Sequence, residues 1–413
     1  MQKSKTRPST ALIVLCWFVY TCSCIGKLNY SANINSIMDF FGVNHSSAGL
    51  ASTLFFFSYS IGQFVNGVLC KKYNLKWVIF ASLTGSAIIN LIVGVTDDFE
   101  LVKYLWLING FSMSVFWPSL IRLLSQSLSR GDMPRASVVM GTTVATGTLV
   151  IYGMSALLVK LDFKLSFYLA TVTLLAAAVI WLLSFSRVVD AASAEAEADE
   201  KEMNASDAFN GRGGVKGALL LSIVMLCFYG VATNLIRDGL VGWVPSIMKE
   251  QYGVDASFSI ILTLLLPVVS IFGNSFAVSM HKRIHDYVLQ CMLTFLGAGL
   301  IIGVVIGGVS LDTFWVTIIG FVLVCFLISS CNSVITSIFP LFLKGKVNSG
   351  LVAGVLNGCS YIGSTISAYG LGVIADNFGW IAVFWTLLSV CALVCVGALV
   401  YIELKRALEK KTI

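Results

Sequence analysis

Apolar residues run along this chain in long blocks separated by short polar breaks. Twelve blocks can be delimited: 11–37, 48–70, 77–95, 102–127, 137–159, 165–186, 217–241, 257–280, 287–309, 314–343, 350–374 and 380–404. A bilayer core takes about 20 mostly apolar residues to cross as a helix. Backbone polar groups in lipid must be satisfied within the segment, so such spans are helical. The pattern predicts an all-α integral membrane protein with twelve transmembrane helices.

Composition agrees. The chain is 57% hydrophobic and 12% charged, with mean hydropathy +0.88, where a soluble domain carries about 25% charged residues. Lys3, Lys5 and Arg7 before the first block resemble the start of a signal peptide. The apolar run continues to Ile37 without a small-residue cleavage site, so it reads as an uncleaved first helix.

Basic residues orient the spans. Loops on one side hold 20 Lys and Arg; loops on the other hold 4. The positive-inside rule then predicts both termini and the long central loop on the cytoplasmic side of a cell membrane. The net charge of +6 therefore reflects topology, and no nucleic-acid partner is expected. The central stretch 188–216 is acidic and low in complexity, and it divides the spans six and six. It reads as a flexible cytoplasmic linker between an N-terminal bundle, 1–187, and a C-terminal bundle, 217–413. The chain is expected to act as a monomer in the lipid bilayer.

The two halves echo each other. Lys27 is followed after eight residues by Ser36-Ile37-Met38 and then Phe41-Gly42-Val43. Arg237 is followed after eight residues by Ser246-Ile247-Met248 and then Tyr252-Gly253-Val254. Ser114-Val115-Phe116-Trp117-Pro118 resembles Ser337-Ile338-Phe339-Pro340, and Tyr152-Gly153-Met154 resembles Tyr369-Gly370-Leu371. Three ordered matches in corresponding spans point to duplication, a common basis for transporters. Lys27 and Arg237 then occupy equivalent places and should face each other across a central cavity.

A charged side chain at mid-membrane costs about 2.5–3.5 kcal/mol on insertion scales. Asp238 follows Arg237, but helix neighbours point about 100° apart, so pairing between them is not expected. With no other Asp or Glu deep in a span, a bound anion is the simplest partner for both cations. The competing reading is that either side chain reaches out to a membrane interface. Tyr20, Cys24 and Lys27 share one helix face, as do Tyr59 and Gln63, and Asn234 and Arg237. Cavity tyrosines can donate to an anion, although aromatic stripes also serve packing. Thr142, Thr143, Thr146 and Thr148, with Gly141 and Gly147, form a small polar face suited to close packing or to solute contact.

No metal or other cofactor is expected. The 11 cysteines lie in or beside apolar runs, as small core hydrophobes. Cys22 and Cys24 are two apart and point to different faces. His281 and His285 are spaced as a ligand pair but sit beside Lys282 and Arg283 in a loop. The sequon Asn44-His45-Ser46 lies tight against the membrane and is discounted as a glycosylation site.

Several stretches resemble the major facilitator superfamily. Gly67-Val-Leu-Cys-Lys-Lys-Tyr-Asn-Leu-Lys76 is similar to its inner-loop signature, with Lys71 where an Asp is expected. Within that superfamily the chain resembles the organophosphate:phosphate antiporters. The resemblance is carried by Asn109-Gly110 through Trp117-Pro118 to Arg122, by Arg237-Asp-Gly-Leu-Val-Gly-Trp243-Val-Pro245, and by Tyr361-Ile-Gly363 with Asp376-Asn-Phe-Gly-Trp380. It implies two pseudo-symmetric six-helix bundles and exchange of small anionic solutes by alternating access. It also implies substrate contacts at Arg237, at Lys27 in place of an arginine, and at Tyr20, Tyr59, Trp117 and Tyr361. Gln63 stands where glycerol-phosphate transporters have a lysine, and Thr142 near where they have a histidine. A phosphoester, a phosphonate or a carboxylate therefore fits the residues about equally. The rival readings are an anion sensor of the same fold, and a proton-driven exporter, which would want cavity carboxylates. An enzyme is not expected, because the spans hold no catalytic dyad.

Overall fold

The computed structural model describes residues 7–69, 72–129, 131–203, 216–339 and 349–410. Lys71, residues 204–215 of the acidic stretch and the loop beginning at Lys344 lie outside the described residues. Among those described, eleven helices are long and apolar enough to cross a membrane. The last of them breaks at Gly379, whose φ of 77° suits only glycine, so it counts as two and the total is twelve. In chain order they are α1 (Pro8–Ala32), α2 (His45–Leu69), α3 (Leu75–Val95), α4 (Phe99–Leu124), α5 (Val138–Leu158) and α6 (Leu165–Met203). The second set is α7 (Lys216–Tyr252), α8 (Ala256–His281), α9 (Tyr287–Ser310), α10 (Phe314–Ser333), α11 (349–378) and α12 (380–410).

One local expectation fails. The acidic stretch is not coil at its start, because α6 continues through Met203. Ala and Glu are strong helix formers, and a helix already nucleated in the membrane extends through them without a new nucleus. The extension is also tied down: the Ser9 amide in the first turn of α1 donates to Glu195 Oε2 at 2.7 Å.

In the first half α1 packs on α5 and α6, α2 on α4, and α3 on α6; in the second, α7 packs on the α11–α12 pair and α10 on α8 and α9. Between the halves, α2 runs along α11 and α5 meets α8. Small residues permit the first contact. A Cβ at Gly49 would sit 2.2 Å from the Ala368 carbonyl oxygen.

The repeat is visible in the backbone. After a break at Asn33, α1 resumes as Ile34–Phe41 and stops at Gly42, with φ 64°. The α7 helix stops at Gly253, with φ 65°. Both ends use a left-handed glycine, which satisfies terminal carbonyls without a side-chain clash. Lys249 Nζ lies 2.8 Å from Asp39 Oδ2, and Ser246 Oγ donates to Asn35 Oδ1 at 2.8 Å. Asp39 and Lys249 hold the same place in the two copies, as Lys27 and Arg237 do. Equivalent residues meet each other only near a pseudo-twofold axis.

These contacts close one face of the molecule, opposite the face bearing Pro8. His45 completes the seal. Its Nδ1 lies 2.6 Å from Asp376 Oδ1 and its Nε2 lies 2.6 Å from Glu250 Oε1. The Ser46 amide donates to Asp376 Oδ2 at 2.8 Å, and Trp380 Nε1 donates to Glu250 Oε2 at 3.0 Å. One first-half histidine thus holds two second-half carboxylates. Part-exposed pairs of this kind contribute up to about 1 kcal/mol each. His45→Ala should raise the local opening equilibrium about fivefold per kcal/mol lost. The readout is faster deuterium uptake in 36–48 and 246–254 by mass spectrometry. Unchanged uptake would show that the seal does not rest on His45.

Candidate functional site

Membrane helices that contain proline leave a carbonyl without its N–H partner four residues upstream, and water is not there to supply one. Pro118 frees the carbonyl of Ser114, where α4 is interrupted between Met113 and Phe116. Gln63 Nε2 of α2 donates to that carbonyl at 3.1 Å. Pro245 inside α7 frees the carbonyl of Val241, and Tyr152 Oη of α5 donates to it at 3.3 Å. The stretch after α10 that echoes the α4 break forms a π-helical turn, Val334–Ile338. These irregular places surround a central cavity.

Two adjoining cavities meet at Arg237, Asp238 and Tyr361. The first is lined also by Lys27, Phe56, Tyr152 and Trp243, and lies toward the sealed face. The second is lined by Tyr20, Trp117, Thr143, Asn332 and Thr336, and extends toward the face bearing Pro8. The fold therefore brings both cations of the repeat to one space, without turning either toward lipid headgroups.

Their surroundings differ. Lys27 is 8% exposed and has no carboxylate partner among the described residues. Its Nζ lies 5.2 Å from the Tyr20 ring centroid and 5.3 Å from that of Tyr59. Tyr59 packs on Tyr361 with centroids 4.4 Å apart, and Tyr20 on Trp117 at 5.1 Å. Aromatic faces attract a cation by about 0.5–2 kcal/mol each without neutralising it. Lys27 therefore keeps its charge available to the cavity.

Arg237 corrects the expectation that it would not pair with its helix neighbour. Its Nε lies 2.8 Å from Asp238 Oδ1. The long arginine arm bends around the helix, and the second half holds the carboxylate in place to meet it. Ser364 Oγ of α11 donates to Asp238 Oδ2 at 2.6 Å, and Asn234 Nδ2 donates to Ser364 Oγ at 3.2 Å. Asn234 Oδ1 has no hydrogen-bond partner among the described residues. Asp238 and Tyr152 are cavity residues to which spacing alone assigned no role. A carboxylate inside an apolar block was the available signal for the first.

Of the eight residues singled out in sequence, Lys27, Arg237, Tyr20, Trp117 and Tyr361 line the cavities. Tyr59 stands behind, under Lys27 and Tyr361. Gln63 and Thr142 are engaged elsewhere. Gln63 is fully buried on the Ser114 carbonyl. Thr142 Oγ1 accepts from Trp17 Nε1 at 2.9 Å and donates to the Val139 carbonyl at 2.8 Å, so it ties α5 to α1. Its neighbour Thr143 faces the cavity instead. Gln63→Leu should therefore lower the melting temperature of the detergent-solubilised protein, through loss of about 1–3 kcal/mol from an unsatisfied carbonyl. Solute affinity should stay within about twofold of the wild type. A large affinity loss at unchanged stability would place Gln63 at the solute.

Residues 16–349 match the sequence profile of the Major Facilitator Superfamily. Sugar phosphate exchanger 3 of Homo sapiens is 22% identical over 401 residues, 86% of this chain and 80% of the relative. A probable hexose phosphate transport protein of Chlamydia pneumoniae is 21% identical over 409 residues, 90% of this chain and 85% of the relative. Among solved structures, a bacterial homologue of the human lysosomal transporter Spinster superposes with TM-score 0.68 at 14% identity, over 99% of this chain and 98% of that one. That crystal structure is of an inward-facing, occupied conformation.

Proposed function

The chain belongs to the Major Facilitator Superfamily, and from that premise we propose that it exchanges small organic anions, organophosphates or related phosphate and carboxylate solutes, by alternating access. The observation that carries this reading is the Lys27 ammonium, buried in the cavity without a carboxylate partner among the described residues and sharing that space with Arg237. The names of the relatives support it, one a sugar phosphate exchanger and one a probable hexose phosphate transport protein.

Lys27 supplies a point charge and Arg237 a planar donor set, one from each half. The solute's charged head bridges the two, while its body lies against Tyr20, Trp117 and Tyr361. Tyr59 supports that wall from behind. An empty cavity leaves the Lys27 charge beside the Asp238-paired Arg237, a space of net positive charge that resists closure of the halves around it. A bound anion removes that resistance and favours the switch, so the protein exchanges one anion for another rather than returning empty. With basic loops in the cytoplasm, the face bearing Pro8 is cytoplasmic, the His45 seal is external and the state described opens inward. The membrane is the cytoplasmic membrane, and the chain works as a monomer.

Flux through liposomes tests the reading. Purified protein in phosphate-loaded vesicles should take up labelled sugar phosphate, and a sensor would bind it without flux. Lys27→Ala and Arg237→Ala should each weaken binding roughly 10- to 100-fold, the effect of losing a hydrogen bond to a charged group, while the protein keeps its helical content. Unaltered exchange in either variant would refute the assignment.

A further inference from the structure

The cavity holds a third charge besides the two cations. Among the described residues, the charged side chains lining its two parts are Lys27, Arg237 and Asp238. Asp238 is not a surface carboxylate that happens to lie nearby. Its Oδ1 takes the Nε edge of Arg237 and its Oδ2 takes the Ser364 hydroxyl, so both oxygens are held by protein groups. The formal charge of the lining is then two positives and one negative, a net +1.

At this depth net charge decides what can be enclosed. Charges interact several times more strongly at the effective dielectric of a protein interior than in water. An uncompensated buried charge is correspondingly costly. A singly charged head brings the enclosed site to neutrality. A doubly charged head leaves one negative charge over and faces the Asp238 carboxylate besides. The arginine fork is also partly occupied, since Asp238 already uses its Nε.

We propose that Asp238 sets the charge this cavity accepts: paired with Arg237, it makes the site one for singly charged oxyanion heads and disfavours doubly charged ones. The proposal rests on the reading of the cavity as an anion site. It names the solute class as phosphodiesters, hydrogen-phosphate monoesters, sulfate esters or carboxylates, all carrying one negative charge. Among the described residues, the groups that contact Asp238 or share its part of the cavity are Lys27 of α1, Tyr152 of α5, Arg237 of α7, Tyr361 and Ser364 of α11, and the nearby Cys325 thiol of α10. Lys27 and Arg237 are the charged members of that set, so replacing Asp238 by a neutral isostere raises the lining to a net +2.

Matched ester pairs read this out directly. Glycerol 3-, glucose 6- and phenyl phosphate are mostly dianions at about pH 7.5, because their second ionisation lies near pH 6. The corresponding sulfates are monoanions throughout. Binding to the intact protein in nanodiscs, measured by calorimetry, should favour the sulfate over its phosphate partner by about tenfold or more at pH 7.5. Lowering the pH to about 5.5 converts the phosphates to monoanions and should raise their affinity by about tenfold or more, with the sulfates unmoved. Asp238→Asn should reverse the preference at pH 7.5, and Asp238→Glu should keep it. A phosphate preference in the wild type at pH 7.5, or a ratio in Asp238→Asn within about twofold of the wild type, overturns the proposal and leaves the anion reading standing. Absence of binding by every pair overturns both. If Asp238→Asn does not fold, the wild-type pH series decides alone, since affinities flat with pH for the phosphates overturn the proposal.

Discussion

A carbonyl group at membrane depth must find a donor within the protein, and this molecule is shaped around the places where its helices break that condition. Pro118 and Pro245 each free one carbonyl, on Ser114 and Val241. Gln63 answers the first and Tyr152 the second. The second answer crosses from α5 to α7, that is, from one half of the molecule to the other. Irregular backbone at such depth is tolerated where it borders a cavity or is buried in protein. The bent helices and the space between them are thus one structural fact.

Into that space each half sends a cation, and the two stand in unlike surroundings. Lys27 lies among tyrosine rings that attract it without neutralising it. Arg237 is half answered by Asp238, which Ser364 and Asn234 hold in line. Had both cations been bare, the empty site would carry the full repulsion of two buried positives. Had both been paired, no attraction for an anion would remain. The asymmetry leaves an intermediate charge, which on the proposed reading is enough to draw an oxyanion from water and little enough to let the helices approach.

Duplication explains why closure concentrates at one face. The stops of α1 and α7 use the same glycine geometry, at Gly42 and Gly253, and residues in the same place of each copy meet there, Asp39 with Lys249. His45 adds a contact across the halves, reaching both Glu250 and Asp376. The cavity, by contrast, extends toward the opposite face through Trp117, Asn332 and Thr336. A seal of polar and charged contacts can open and reform as the halves tilt, because each contact is individually weak.

The amino-acid sequence by itself determined the spans, the twelvefold count, the repeat and the pair of cations, because hydropathy and spacing are local quantities that a bilayer reads one helix at a time. It also carried the aromatic wall of Tyr20, Trp117 and Tyr361. Only the tertiary structure decided which polar residues face the cavity. Gln63 and Thr142 share helices with cavity residues, yet one satisfies a proline-freed carbonyl and the other anchors Trp17. Asp238 went the other way: helical spacing argued against its pairing with Arg237, and a serine 126 residues away made the pairing hold. Partners of that kind come from distant parts of the chain, and periodicity within one helix contains no record of which neighbour will arrive beside it.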